Sequence, residues 1–172
     1  MFLSIIIPTY NEEKYLPKLL KSIERQEIKD YEIIVADADS KDKTIEIAKS
    51  FGCVIVKGGM PAVGRNSGGG VAKGDLFIFF DADTIIPRGC LGKWIREFEK
   101  RKLDIAGVSL MPLKGNFFDY FIHDVYNLWQ KVMQRVDPYM SGAGMFVRRN
   151  IFNLLGGFDE NLMVAEDHAF AR

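Results

Sequence analysis

Four short stretches of the chain are apolar with hardly a break: residues 2–8 (FLSIIIP), 32–37 (EIIVAD), 53–57 (CVIVK) and 76–81 (LFIFFD). A strand with one wet face alternates apolar and polar positions. An unbroken run implies burial on both faces, as in a parallel sheet covered by helices. Helical spacing fills the intervals. Tyr15, Leu16, Leu19, Leu20 and Ile23 recur at helical spacing, and Ile45, Ile47, Ala48 and Phe51 do so less cleanly before Gly52 stops the run. Over 91–101, Trp94, Ile95 and Phe98 share one face. Strand–helix–strand repetition predicts an α/β fold: an open, mostly parallel sheet with right-handed crossovers, flanked by helices.

The pattern changes further on. A weaker strand-like run at 105–110 precedes a helical pattern over 117–136. There Phe118, Phe121, Ile122, Val125, Leu128, Trp129, Val132 and Val136 form one stripe, opposite Asp119, His123, Asn127, Lys131 and Gln134. Such a helix packs its stripe on the core or turns it toward a lipid or an acceptor, and Phe117, Tyr120 and Tyr126 beside the stripe suit the second reading. Only Lys131 and Arg135 are basic, a poor grip for an anionic bilayer. The run Gly68, Gly69, Gly70 costs a helix about 1 kcal/mol per glycine against alanine. It reads as a loop that lets the backbone approach a ligand closely.

At 172 residues the chain is the size of one domain. Within it, 1–100 carries the regular repeats and 101–172 the divergent part. A 48% hydrophobic content excludes disorder. Lys plus Arg and Asp plus Glu both number 23, so the basic surplus of a nucleic-acid binder is missing. The longest apolar runs reach five residues, far short of the roughly 20 that span a bilayer. Residues 1–4 enter a strand-like run without a basic leader. Cys53 and Cys90 lack metal or disulfide spacing, which predicts a reducing, cytoplasmic compartment.

In open α/β sheets ligands bind at the carboxyl ends of the strands. Three of those ends carry acids: Glu12 and Glu13 after the first run, Asp37 and Asp39 after the second, Asp81 and Asp83 after the fourth. Each alone is explained by turns and helix caps. Alternate carboxylates at a strand end can also converge on one hard cation that holds phosphate oxygens, the preference of magnesium and manganese. The Asp81-Ala82-Asp83 motif also matches phosphatases of haloacid-dehalogenase type, in which Asp81 would be the nucleophile. That signature normally sits near the start of a chain, whereas three strand–helix units precede it here.

Taken in order, residues 8–12 (PTYNE), 37–44 (DADSKDKT), 64–68 (GRNSG) with Gly74-Asp75, and 81–83 (DAD) resemble the motifs of family 2 glycosyltransferases with the GT-A fold. Residues 141–149 (SGAGMFVRR), 156–160 (GGFDE) and Glu166-Asp167 look like the acceptor half of that family. The resemblance implies an inverting transfer from a UDP- or GDP-sugar to a sugar or lipid-linked acceptor, with Mn2+ or Mg2+ and peripheral contact with the cytoplasmic face of a membrane. Carried over by position, it puts Pro8, Tyr10 and Glu12 in the nucleoside pocket and Asp37 on the base. Arg65 would lie near the phosphates, Asp81 by the ribose, Asp83 on the metal, and Asp167 would be the general base with Glu166 raising its pKa.

The chain departs from that pattern at Ala38, where a second acid or a glycine is usual, and at Ala169, where a further acid is often found. His168 beside it is a candidate for the metal or the acceptor. Residues 165–172 read as a helix without a stop signal, which predicts a longer parent protein. A non-catalytic nucleotide-sugar-binding domain is the alternative from outside enzymology.

Overall fold

The computed structural model describes residues 1–109, 111–112, 117–133, 142–162 and 166–171. Strands β1 (Leu3–Thr9), β2 (Tyr31–Asp37), β3 (Val54–Lys57), β4 (Leu76–Phe79), β5 (Ile105–Gly107) and β6 (Met145–Arg148) form one sheet in the order β3-β2-β1-β4-β6-β5. The β1–β2, β2–β3 and β1–β4 pairs are parallel, while β6 runs antiparallel to both β4 and β5. The expected α/β sheet is therefore present, with an antiparallel edge built by the second half.

Three of the four unbroken apolar runs behave as double-sided burial demands; the fourth, β3, is an edge strand with Val54 exposed and Ile55 and Val56 half-buried. Along β1, Ile5 and Ile7 enter one core layer and Ile6 the other, and all three are fully buried. The first layer lies under α1 (Leu16–Glu24), α2 (Thr44–Ser50) and α4 (Cys90–Lys100), which contribute Leu16, Leu19, Leu20, Ile23, Ala48, Leu91 and Phe98. The second lies under α3 (Pro61–Val71), α6 (Arg149–Leu155) and α7 (Glu166–Ala171). It is an aromatic cluster: the Phe77, Phe79 and Phe158 rings surround Phe152, and Phe170 stacks on Phe158 at 4.2 Å and 20°. Fully buried Phe side chains dominate such a layer because each removes 150–250 Å² from water.

The glycine run departs from its sequence expectation. Residues 68–70 are the last turn of α3, not a ligand-facing loop. A Cβ on Gly68 would stand 2.4 Å from Ile6 Cγ2, and one on Gly69 would stand 2.6 Å from the Phe152 ring. The glycines bring the helix backbone flush against β1 and α6, so the tertiary contact outweighs the poor helix propensity. Gly70 points into open space.

The long amphipathic helix is present as α5 (Phe117–Met133), but its stripe does not pack on the core. Phe118, Phe121, Ile122, Val125, Leu128, Trp129 and Val132 are 50–65% exposed. His123 and Asn127, from the opposite face, are the half-buried ones. The core is closed by β6 and α4 instead, through Phe146 against Trp94 and Phe98. No helix among the described residues is long and apolar enough to cross a membrane.

Gly68→Ala is expected to lower stability by about 1–3 kcal/mol through overpacking. Gly70→Ala, with no neighbour to meet, is expected to raise it by about 0.5–1 kcal/mol. Calorimetric melting of the two variants beside the wild type checks this. Shifts of the same sign would show that close approach is not what Gly68 provides.

Candidate active site

The sheet reverses its winding between β1 and β4, since β2 lies on one side of β1 and β4 on the other. At such a switch point the loops leaving the parallel strands diverge and open a crevice. A cavity of about 660 Å³ occupies it. Pro8, Tyr10 and Glu12 line it from the end of β1, Ala38 from the end of β2, Pro61 from the start of α3, and Asp81 and Asp83 from the end of β4. Of the residues expected there, Asp37 and Arg65 are not on its wall.

Asp37 lies beneath the wall, 4% exposed, with its oxygens engaged. Thr9 Oγ1 and Ser40 Oγ donate to Oδ2 at 2.9 and 2.6 Å, and the Ser40 amide donates to Oδ1 at 2.8 Å. Ser40 Oγ in turn accepts from the Asn11 amide, Thr44 Oγ1 from the Glu12 amide, and Asp42 from the Glu13 amide. The loops after β1 and β2 are thus sewn together. Asn11 and Asp39 take left-handed backbone angles, φ 56° and 61°, which Asn and Asp tolerate better than most residues. The residues 37–44 that read as a ligand motif act here as a clasp that holds the Tyr10 and Glu12 wall. Ala38, facing the cavity, leaves that stretch of wall without a carboxylate.

Arg65 is 3% exposed and its Nη2 donates to Asp81 Oδ1 at 2.9 Å. The sequence reading sets it against the donor's phosphates; in the fold it stands behind Asp81 on the second turn of α3. Its guanidinium also lies over the Phe158 ring at 5.5 Å. Beside it, Asn66 bonds both the amide and the carbonyl of Phe158 at 2.8 Å, and Glu160 through the same Nδ2. Asn66 therefore ties residues 64–68 to residues 156–160. Sequence reasoning recognised both motifs but gave Asn66 no role, since its partner lies 92 residues away.

Phe158 also carries Phe170 of α7, and Asp167 sits one turn before Phe170 on that helix. Asp167 is half-buried and its charge reaches Asp81, so the carboxylate expected as a base stands at the same site. The side chains of Glu166 and His168 lie outside the described ones.

The electrostatics are those of crowded acids. Burial pushes the Asp81 carboxyl above its usual range, Asp83 and Asp167 push it further, and Arg65 pulls it back. Glu12 is likewise raised, by burial first and then by Asp83, Asp42 and Asp81. Among the described residues no three acids, histidines or cysteines form a ready-made metal cage. A pair of carboxylates with room beside it still fits a hard cation that takes its other ligands from water and phosphate. A second cavity, about 880 Å³, meets the first at Asp81 and Asp83. Its other walls come from residues 84–87, Trp94, Val108 and Met111, with Tyr120 and His123 of α5.

A mostly parallel α/β sheet with a crevice at its switch point belongs to the class of open α/β folds that bind ligands at the carboxyl ends of their strands. The sequence profile described as glycosyl transferase family 2 matches residues 4–155, and the chain belongs to that family. It is 27% identical to the poly(ribitol-phosphate) beta-glucosyltransferase of Bacillus spizizenii over 99% of its own length. The fold matches the Pyrobaculum calidifontis mannosyltransferase PcManGT, solved with GDP-Man and Mn2+, at TM-score 0.80 and 20% identity over 98% of the chain. It also matches residues 1–349 of S. aureus TarS, solved with UDP-GlcNAc, at TM-score 0.72 and 24% identity over 99% of the chain. The chain spans 29% of the Bacillus relative and 50% and 52% of the two solved chains. These likenesses bear out the GT-A expectation.

Both raised carboxyls disfavour their charged form in the folded state. Between the ordinary and the raised value the folded chain holds more protons than the unfolded one, so stability falls as pH rises above 3.8 for Asp81 and above 4.5 for Glu12. Asp81→Asn is expected to flatten that fall and leave most of the Glu12 part, which burial and Asp83 sustain. Urea midpoints across the acidic range test it, and an unchanged slope in the variant would return Asp81 to an ordinary carboxylate.

Proposed function

We propose that this domain transfers a sugar from a nucleotide-diphosphate sugar to an acceptor hydroxyl, with inversion and with the help of a divalent cation. The observation that carries the reading is the junction of two cavities at Asp81 and Asp83, with Asp167 close behind. The first cavity suits the nucleoside, against Pro8, Tyr10 and Glu12, with the ribose toward Asp81. UDP- and GDP-sugars, present in the two matched structures, are the donor classes considered. The acceptor enters from the second cavity, on the face of the sugar turned away from the diphosphate.

In a single displacement the acceptor oxygen bonds to the anomeric carbon as the bond to the diphosphate oxygen breaks. The acceptor proton passes to a carboxylate, and the electron pair leaves with the nucleoside diphosphate. Asp167 is the proton acceptor in this reading, with Glu166 beside it in sequence. Mn2+ or Mg2+ held by Asp83 would neutralise the charge that grows on the leaving diphosphate. Arg65 acts one step back, keeping Asp81 ionised and aimed while the acids around it push toward protonation. Asp37 reaches the base only through the wall it braces. The family match favours transfer over the phosphotransferase alternative, and the Arg65 ion pair occupies an oxygen of the carboxylate that the alternative needs as its nucleophile.

Asp83→Ala is expected to cost roughly 2–4 kcal/mol of nucleotide affinity in the presence of Mn2+, and to abolish the difference that a chelator makes. Calorimetric titration with UDP and GDP reads both. Equal affinity with and without metal in the wild type would remove the cation from the mechanism.

Asp167→Asn keeps the side-chain volume but cannot take a proton. It should lower kcat by about 10²–10⁴ with donor Kd nearly unchanged, and Glu166→Gln should hurt less. Turnover of donor and acceptor by the protein is the measurement. Near-normal turnover in Asp167→Asn would move the base elsewhere, with His168 next to be changed.

A further inference from the structure

Helix α7 is six residues long, too short to hold its shape in water by its own hydrogen bonds. Its place depends on what its side chains touch. Among the described ones Asp167 is half-buried, Ala169 is exposed and Phe170 alone is buried. The Phe170 ring lies against Phe152 at 6.0 Å and stacks on Phe158 at 4.2 Å. Asp167 stands three positions earlier, one helical turn away on the same side of α7. A shift of Phe158 would carry Phe170 and, with it, the Asp167 carboxylate.

Phe158 is itself set from α3. Asn66 holds both of its backbone polar groups: Oδ1 accepts from the Phe158 amide and Nδ2 donates to the Phe158 carbonyl, each at 2.8 Å. Two such bonds fix the direction of the residue as well as its distance. The approach is close, since a Cβ on Gly157 would stand 2.5 Å from Asn66 Oδ1. The turn that carries Phe158 also has bonds of its own. The Gly157 amide donates to the Phe152 carbonyl, and Asp159 Oδ1 accepts from the amide and side chain of Asn161 at 2.9 Å. The Asn66 bonds therefore add placement against α3 to a turn closed by other means. Arg65, the preceding residue, pairs with Asp81 and lies over the Phe158 ring. Two successive residues of α3 thus hold Asp81 directly and Asp167 through two rings.

We propose that Asn66 is a positioning residue for the transfer: through Phe158 and Phe170 it sets where the Asp167 carboxylate stands relative to Asp81. This rests on the reading of Asp167 as the proton acceptor. A proton moves only within hydrogen-bond reach, and a misplacement of about 1 Å costs roughly 10²-fold in rate. The nucleoside wall at Pro8, Tyr10 and Glu12 is braced from the Asp37 side, outside this link.

The test follows nucleotide release from UDP-GlcNAc and GDP-Man with Mn2+, water serving as the acceptor, beside calorimetric titration of UDP and GDP. Asn66→Ala is expected to lower kcat by about 10–100-fold while nucleotide Kd stays within about twofold. Phe170→Leu breaks the far end of the link, leaves the Asn66 bonds in place and should give the same split. In an Asp167→Asn background either change should cost less than about threefold more, because residues that act through one group do not add. Asn161→Ala removes a bond of the same turn without touching Phe158 and should leave kcat unchanged. Amide hydrogen exchange over 166–171 should quicken by about tenfold or more in Asn66→Ala, with β1 and β2 as in the wild type.

Full multiplicative losses in the Asp167→Asn background overturn the proposal. So does a loss of nucleotide affinity that matches the loss of rate, or unchanged exchange over 166–171. Wild-type turnover by Asp167→Asn sinks the base assignment instead, and no nucleotide release by the wild type sinks the transferase reading. Either of these would take the transfer role from Asn66 and leave the exchange result to report the link itself.

Discussion

The site depends on one ion pair set where the chain changes from one cavity to the other. Asp81 must sit at a strand end with its carboxylate among other acids, a placement that by itself favours protonation. Arg65, nearly buried on α3, supplies the opposing charge from behind, so the cavity side stays acid-only. A cation entering from solvent would then meet carboxylates with no competing guanidinium on the wall among the described residues. Buried guanidinium is costly unless hydrogen-bonded and paired, which ties α3 tightly to β4 and makes the helix part of the site.

The same economy of position explains the glycines and Asn66. Arg65 reaches Asp81 from α3, a helix that packs against β1 and α6 where Gly68 and Gly69 present no side chain to Ile6 and Phe152. Asn66 then anchors the loop that brings Phe158 under the guanidinium, and Phe158 carries Phe170 and with it the helix of Asp167. A packing contact on one face of the sheet thus brings the Asp167 carboxylate within electrostatic reach of Asp81. On the other side of the crevice, Asp37 does the equivalent work for Tyr10 and Glu12 through hydrogen bonds among loop residues.

Rigid walls around the acids contrast with α5, which contributes no buried side chain among its described residues. A helix of that length is marginal in water without a surface to cover its apolar face. That helix also supplies Tyr120 and His123 to the wall of the second cavity.

The sequence by itself determined the parallel half of the sheet, because strands buried on both faces must be written as unbroken apolar runs, as 2–8, 32–37 and 76–81 are. It determined the place of the site as well, since acids after those strands can lie only at the carboxyl edge. Tertiary structure alone decided the rest. The strand Met145–Arg148 was too short to stand out from its motif and exists because β4 offered it an open edge. Three glycines in a row read as a loop until a neighbouring strand rewarded the missing side chains. Asp37 and Arg65 moved off the wall because their partners, Thr9, Ser40 and Asp81, lie 3 to 28 residues away, and burial is a property of the assembled fold. The outward turn of the α5 stripe follows for the same reason: periodicity says that a helix has an apolar face, and only the other elements, by closing the core without it, say which way that face looks.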